Sequence, residues 1–387
     1  MIYERHDLTP DGRVYVDCYI QDWSPMRPFL PKRPAVIICP GGAYVVISER
    51  EGEQVALEFL ARGYNAFVLH YSIGFYAHIP DPVVDLGKTV LLVRRNSEKW
   101  HIDPDKVAVA GFSAGGHLAA CLGTMADRDN VHELCNATEE ELRPNALILC
   151  YAVTYVDTDA QQGLLAFLAS GLDWGMVKEK YSPCYWVDEK TPPTFVVAFY
   201  DDKLVPVEQA MLYCNAMAEK DRPFELHIFA HGEHGCGSGN EASALGESNV
   251  QDPSVEKWID LCHKWLTDMF DTPKLGTKFA SMLESSAGNR AHMGEQVLPT
   301  NLLEKSTTRK TEKRRYSLTT RIGDAAADPA AMEILMKYFP EIISSPRLEE
   351  FYEMPIQILV LTAAGSMTQE QNMELAKELR RLPVEDN

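Results

Sequence analysis

Short apolar runs alternate with segments of helical periodicity from the N-terminus to about residue 270. Residues 14–20 alternate apolar and polar positions, as an edge strand does. Residues 35–39, Ala-Val-Ile-Ile-Cys, form a continuous apolar run, as expected of a parallel strand covered on both faces. An amphipathic helical pattern over 51–61 closes at Gly63, and 65–70 is the next strand. A helical stretch over 82–100 leads to a strand at 107–110 and a helix over 114–125. Strands at 146–150, 194–199 and 225–229 follow, and a helix over about 255–270 closes the unit. This rhythm predicts a mainly parallel sheet with helices on both faces. The connection 153–190 is longer than usual and carries Leu164, Leu165, Phe167, Leu168 and Trp174, which predicts an inserted cap.

The texture changes after residue 270. Residues 271–317 have few apolar periods and end in the charged stretch Lys305 to Arg315, the pattern of a flexible, solvated linker. Helical patterning returns over 318–387, with helices expected at 330–338, 348–352 and 369–382 and a start signal at Asp328-Pro329. The expected organisation is an α/β domain over 1–270, a linker over 271–317, and a small all-α module over 318–387.

Composition narrows the function classes. Of 387 residues 45% are hydrophobic and 24% charged, enough for a large core. The 56 acidic against 37 basic side chains give a net charge of −19, which argues against a nucleic-acid or anionic-membrane surface. Residues 1–7 are polar, and no apolar stretch reaches membrane-spanning length. The nine cysteines form no C-x-x-C pair, and Cys39, Cys121 and Cys150 sit inside apolar runs. That usage fits a reducing compartment, so a cytoplasmic location is expected. Oligomeric state is not readable from these features.

Four separated motifs carry the chemistry. Gly111-Phe112-Ser113-Ala114-Gly115 fits G-x-S-x-G between a predicted strand and a predicted helix, which makes Ser113 the candidate nucleophile. Cys39-Pro40-Gly41-Gly42-Ala43-Tyr44 is a glycine loop directly after a strand. The backbone N–H groups of Gly42 and Ala43, with that of Ala114 at the helix start, are candidate oxyanion donors. Tyr200-Asp201-Asp202-Lys203-Leu204-Val205-Pro206 follows a strand and offers the triad acid. Asp202 is preferred by its place at the start of the turn, and Asp201 is the alternative. In His231-Gly232-Glu233-His234-Gly235, His234 is the candidate base and His231 a structural residue. A metal site built from His227, His231 and His234 is disfavoured, because His227 lies within a strand pattern and no ligand spacing completes a zinc signature. No metal or organic cofactor is called for. His117 is expected to pack or bond locally, Cys236 to be a core or loop thiol, and Glu208 a first-turn helix acid.

These motifs, together with Asp103-Pro104-Asp105-Lys106-Val107 leading into the elbow, Gly116-His117-Leu118-Ala119 after it, and Thr191-Pro192-Pro193-Thr194, resemble the acetyl-xylan-esterase-like branch of the esterase/lipase superfamily. That branch is related to the hormone-sensitive-lipase and dienelactone-hydrolase groups, and the resemblance covers about residues 10–270. It implies an α/β-hydrolase fold and a serine carboxylic-ester hydrolase working through an acyl-enzyme. The implied substrates are acetylated xylan fragments or similar short-chain acyl esters, small or oligosaccharidic. Two departures stand out. Ala43 replaces a third glycine, and Phe199-Tyr200 replaces a His-Thr type pair, a change expected to reshape a pocket bordered by Tyr44, Phe75, Tyr76, Phe199 and the cap. The tail is similar to a helical module attached to some such esterases. Two other readings stand beside this one. One is a peptidase or amidase with the same triad, although the long β-propeller segment of prolyl-oligopeptidase relatives is missing. The other is a non-catalytic interaction protein on the same fold.

Overall fold

The computed structural model describes residues 1–23, 32–156, 178–247 and 250–271. In the C-terminal part it describes 316, 320–345, 348, 352, 356, 359 and 369–382. The described strands form one eight-stranded sheet: β1 (Ile2–Asp7), β2 (Tyr15–Ile20), β3 (Arg33–Cys39), β4 (Asn65–His70), β5 (Ile102–Phe112), β6 (Ala146–Cys150), β7 (Thr194–Phe199) and β8 (Phe224–Phe229). Their order is β1-β2-β4-β3-β5-β6-β7-β8. The pairs β1–β2 and β2–β4 are antiparallel, and every other pair is parallel.

The central strands carry continuous apolar runs, such as 35–39 and 107–110, where both faces are covered. Along β3, Ile37 and Cys39 face one core, which takes in α2 (Asp81–Arg95) and α3 (Ala114–Met125). Val36 and Ile38 face the other, with α1 (Glu53–Ala61) and the helix Trp258–Asp271. All twelve residues of α3 are buried, so the helix behind the elbow is covered all round rather than amphipathic, with His117 and Thr124 as its polar members.

Some boundaries differ from expectation. β1 was not anticipated: its side chains are mostly exposed, so no apolar alternation marks it. Backbone pairing with β2 holds it, reinforced where Tyr3 Oη and Arg5 Nε donate to Asp17 at 2.6 and 2.9 Å. β5 begins five residues earlier than its apolar run, at Ile102, and α2 ends at Arg95 rather than Trp100. Of the expected cap, residues 157–177 lie outside the described residues. The rest returns to the core, where the Val156 N–H donates to Ser182 Oγ and the Cys184 N–H to the Thr154 carbonyl. The expected linker, 271–317, lies outside the described residues except for its ends at 271 and 316, and the helix expected at 348–352 is described only at Leu348 and Tyr352.

The C-terminal helices Ile322–Ala326, Pro329–Tyr338, Pro340–Ile343 and Gln369–Arg381 build a third apolar core around Leu335, Phe339, Leu375 and Leu379. That core also takes in Val45, with Ala43 and Val46 packed against it. These three residues belong to the glycine loop after β3, so the module seats on the loop beside Ser113.

Candidate active site

β5 delivers the chain into Ser113 and α3 carries it away. The reversal leaves Ser113 at φ 51°, ψ −117°, a conformation L-residues rarely adopt. Small neighbours make the turn possible. A Cβ on Gly111 would lie 2.3 Å from the Gly115 carbonyl oxygen, and one on Gly115 would lie 2.1 Å from that of Cys39. The Ser113 N–H donates to the Cys150 carbonyl at 3.0 Å, pinning the elbow to β6.

The acid loop follows β7. Asp202 is the aspartate that turns inward: its side chain is fully buried, whereas that of Asp201 is 45% exposed. One carboxylate oxygen of Asp202 accepts the N–H groups of Leu204 and Val205 at 2.8 and 3.0 Å. The other accepts from His234 Nδ1 at 2.7 Å. A carboxylate only accepts, so Nδ1 carries the proton and Nε2 is left to accept from the Ser113 hydroxyl, 2.9 Å away. Ser113, His234 and Asp202 thus lie in one line of hydrogen bonds.

Asp201 has a different partner. It accepts from His231 Nδ1 at 2.9 Å and from the Gly232 N–H at 3.1 Å, which ties the acid loop to the base loop at the surface. Hydrogen bonding to His231 holds the Asp201 carboxyl below its ordinary range. His227 bonds Glu225 at 2.8 Å on β8, away from the other two histidines. Among the described residues no cluster of metal-ligating side chains occurs.

The glycine loop runs against the nucleophile: a Cβ on Gly41 would come within 3.0 Å of Ser113 Cβ. Gly42, Ala43 and Tyr44 all have positive φ, at 123°, 53° and 59°. Only glycine suits the first, where a Cβ would sit 2.0 Å from the Val46 carbonyl oxygen. Among the described residues, none accepts a hydrogen bond from the N–H of Gly42, Ala43 or Ala114. Three backbone donors near the nucleophile are therefore unspent among the described residues.

Two expected pocket walls, Tyr44 and Phe199, turn inward instead. Tyr44 is buried, and its hydroxyl donates to His117 Nδ1 at 2.8 Å. His117 Nε2 donates to the Tyr181 carbonyl at 2.9 Å, and the ring also meets Cys121 Sγ one helical turn along, so its partners are both local and distant in sequence. Burial lowers the His117 pKa to about 4. Phe199 lies in the core beneath Gly232, whose Cβ would meet the ring at 2.3 Å. Tyr200 and Tyr76 are exposed, and the Phe75 side chain lies outside the described residues. Cys236 is a buried thiol whose pKa burial raises. Glu208 opens the helix Glu208–Glu219.

Two residues at the site had no sequence signal. Glu51, at the end of a 3-10 turn before α1, is buried, with its carboxylate against Gly41 and Tyr151. Tyr151, just past β6, packs its ring 5.0 Å from the His234 imidazole.

The family model described as BD-FAE matches residues 28–217. An acetylxylan esterase of Xylanibacter ruminicola is 31% identical over 242 residues, 60% of this chain and 46% of its own length. The chain spans about half or less of the length of the curated relatives it matches. Two solved structures match over nearly their whole length. MGS-M1, an α/β-hydrolase enzyme from a Medee basin deep-sea metagenome library, is 33% identical with a TM-score of 0.57, covering 70% of this chain and 98% of its own. An acetyl ester-xyloside bifunctional hydrolase from Caldicellulosiruptor lactoaceticus is 34% identical with a TM-score of 0.54, covering 66% and 88%.

Proposed function

The chain belongs to the α/β-hydrolase family, and from that membership we propose that it is a serine esterase that removes short acyl groups, acetyl first among them, from xylose-based oligosaccharides. The observation that carries this reading is His234, whose two ring nitrogens bridge Ser113 Oγ at 2.9 Å and Asp202 at 2.7 Å.

The chemistry follows from that line. His234 Nε2 takes the hydroxyl proton as Ser113 Oγ attacks the ester carbonyl carbon. Asp202 keeps the proton on Nδ1 and stabilises the imidazolium that forms. The N–H groups of Gly42, Ala43 and Ala114 receive the negative charge that develops on the carbonyl oxygen. One such donor is typically worth roughly a hundred- to a thousandfold in rate. His234 then returns its proton to the departing alcohol, leaving an acyl-Ser113 ester. Water, deprotonated by the same imidazole, cleaves that ester and releases the carboxylic acid. The sugar alcohol is supported by the names of two relatives, the acetylxylan esterase and the acetyl ester-xyloside hydrolase.

Two measurements test the reading. Purified protein should release acetate from acetylated xylo-oligosaccharides faster than it cleaves long-chain esters or peptide amides. Ser113→Ala should abolish that release while the protein stays folded. Turnover surviving in the variant refutes the nucleophile, and a preference for peptide amides refutes the substrate.

A further inference from the structure

The mechanism uses three groups in one line and leaves a buried carboxylate beside them unused. Glu51 is 1% exposed. Its neighbour Arg50 pairs with Glu247 instead, and among the described residues no cation hydrogen-bonds to Glu51. Burying a carboxylate without a countercharge is unfavourable by several kcal/mol in order of magnitude unless strong hydrogen bonds replace its water. Two such bonds are present. Oε2 accepts the Gly41 N–H at 2.7 Å, and Oε1 accepts the Tyr151 hydroxyl at 2.8 Å.

Each bond leads to a different catalytic loop. Gly41 immediately precedes the donor residues Gly42 and Ala43 and lies against Ser113. The Tyr151 oxygen, in turn, accepts the N–H of Gly237, three residues beyond His234, at 3.0 Å. Its ring meets the His234 imidazole at 5.0 Å with the planes inclined by 59°. Tyr151 is itself in the left-handed region, at φ 37°, and its N–H donates to the Val197 carbonyl of β7 at 2.7 Å. One carboxylate thus joins the loops after β3, β6 and β8, segments about a hundred residues apart in sequence.

We propose that Glu51 is a positioning residue that sets the oxyanion loop against the catalytic histidine, through the Gly41 N–H on one side and the Tyr151 hydroxyl on the other. This rests on Ser113 and His234 acting as described above. A charged acceptor suits the task. It fixes both donors more tightly than a neutral one, because hydrogen bonds to ionised groups are shorter and stronger. Glu51 itself lies in the short 3-10 turn just before α1, while the segments it holds, Gly42 to Tyr44 and Tyr151, carry backbone at positive φ. A loop shifted by about 1 Å can cost roughly a hundredfold in rate without loss of substrate binding.

The test uses the full chain with Glu51→Gln and Tyr151→Phe, singly and together. Glutamine keeps the shape but can offer only one acceptor oxygen, so one of the two donors faces an NH2 group. Phenylalanine keeps the ring on His234 and removes the hydroxyl that Gly237 and Glu51 share. With a p-nitrophenyl acetate assay, each folded single variant should lose about 10- to 100-fold in kcat with KM within about twofold. Affinity for a trifluoromethyl ketone that mimics the tetrahedral state should fall by the same factor as kcat/KM. The double variant should be no worse than the poorer single one, because both changes cut one chain of bonds. A folded Glu51→Gln protein with unchanged kcat, a loss confined to KM, or multiplicative effects in the double variant would each overturn the assignment. Fluorophosphonate labelling of Ser113 in the unaltered protein separates the premises: absence of labelling and of turnover there removes the nucleophile itself, and Glu51's role with it.

Discussion

His117 lies four residues past Ser113 on the elbow helix, yet its partners keep it out of the chemistry. Its Nδ1 accepts from the Tyr44 hydroxyl and its Nε2 donates to the Tyr181 carbonyl, so the neutral ring has no unused position. Burial is what lowers its pKa, to about 4, from the ordinary value near 6.5. The unfolded chain therefore takes up this proton more readily than the folded one. The associated stability is complete above about pH 6.5 and is lost as pH falls toward 4. From pH 7 to pH 5 the loss from this residue should be about 2 kcal/mol. Urea unfolding at both pH values checks it: His117→Gln should be less stable at pH 7 but lose about that much less between the two. Parallel loss in the two proteins would show that another group carries the acid sensitivity. The same scale separates the two aspartates. Asp202 has two backbone N–H donors on one oxygen and His234 on the other, whereas Asp201 faces solvent with His231. Spacing pointed to Asp202, but the difference in burial that distinguishes them is a property of the folded turn.

At the level of the elements, the elbow was legible because its requirements are local. A strand that reverses into a helix over one residue needs small neighbours, and the sequence writes them in consecutive positions. Gly115 shows how tight the fit is: an added Cβ would fall 2.1 Å from the Cys39 carbonyl oxygen and 2.4 Å from that of Pro40. Gly115→Ala should therefore push α3 away from the end of β3 and move Ser113 relative to the oxyanion loop. We expect a loss of about 1–3 kcal/mol in unfolding free energy and a fall of at least about tenfold in kcat. Steady-state kinetics with an unfolding curve would check both, and unchanged kcat would mean that the loop follows the helix. The parallel strands were legible for the same local reason, since burial on both faces leaves continuous apolar runs. β1 was not, because backbone pairing and the Asp17 contacts hold it rather than a buried face. Glu51 was invisible in a stronger sense. Nothing in Glu49-Arg50-Glu51 distinguishes it until folding brings Gly41 and Tyr151 to its two oxygens.

At the scale of the whole chain, the C-terminal module is attached by more than its connecting segment. The sequence marks it as a separate helical unit, and its helices do enclose their own apolar core. What the sequence does not reveal is that Val45 completes that core. Val45 and Val46 read there only as residues following a glycine loop, because their partners lie almost three hundred positions away. The contact has a mechanical consequence. Three successive residues with positive φ, Gly42 to Tyr44, must be held in a strained turn. Glu51 holds the turn at Gly41, Tyr44 anchors it on His117, and the module covers its outer side at Val45. Removing one of three restraints should loosen the loop without unfolding the sheet. Leu335→Asp places a charge in the buried centre of the module, at a residue with no exposed surface. It should destabilise the module by about 3 kcal/mol or more. The sheet and its two flanking cores, which contain neither Leu335 nor its helix, should keep their unfolding transition. If the module restrains the oxyanion loop, kcat should fall by about tenfold while KM changes little and Ser113 still reacts with a fluorophosphonate. If kcat holds although hydrogen exchange shows the module's helices open, Glu51 and Tyr44 suffice to hold the loop, and the module's contact with Val45 serves attachment alone.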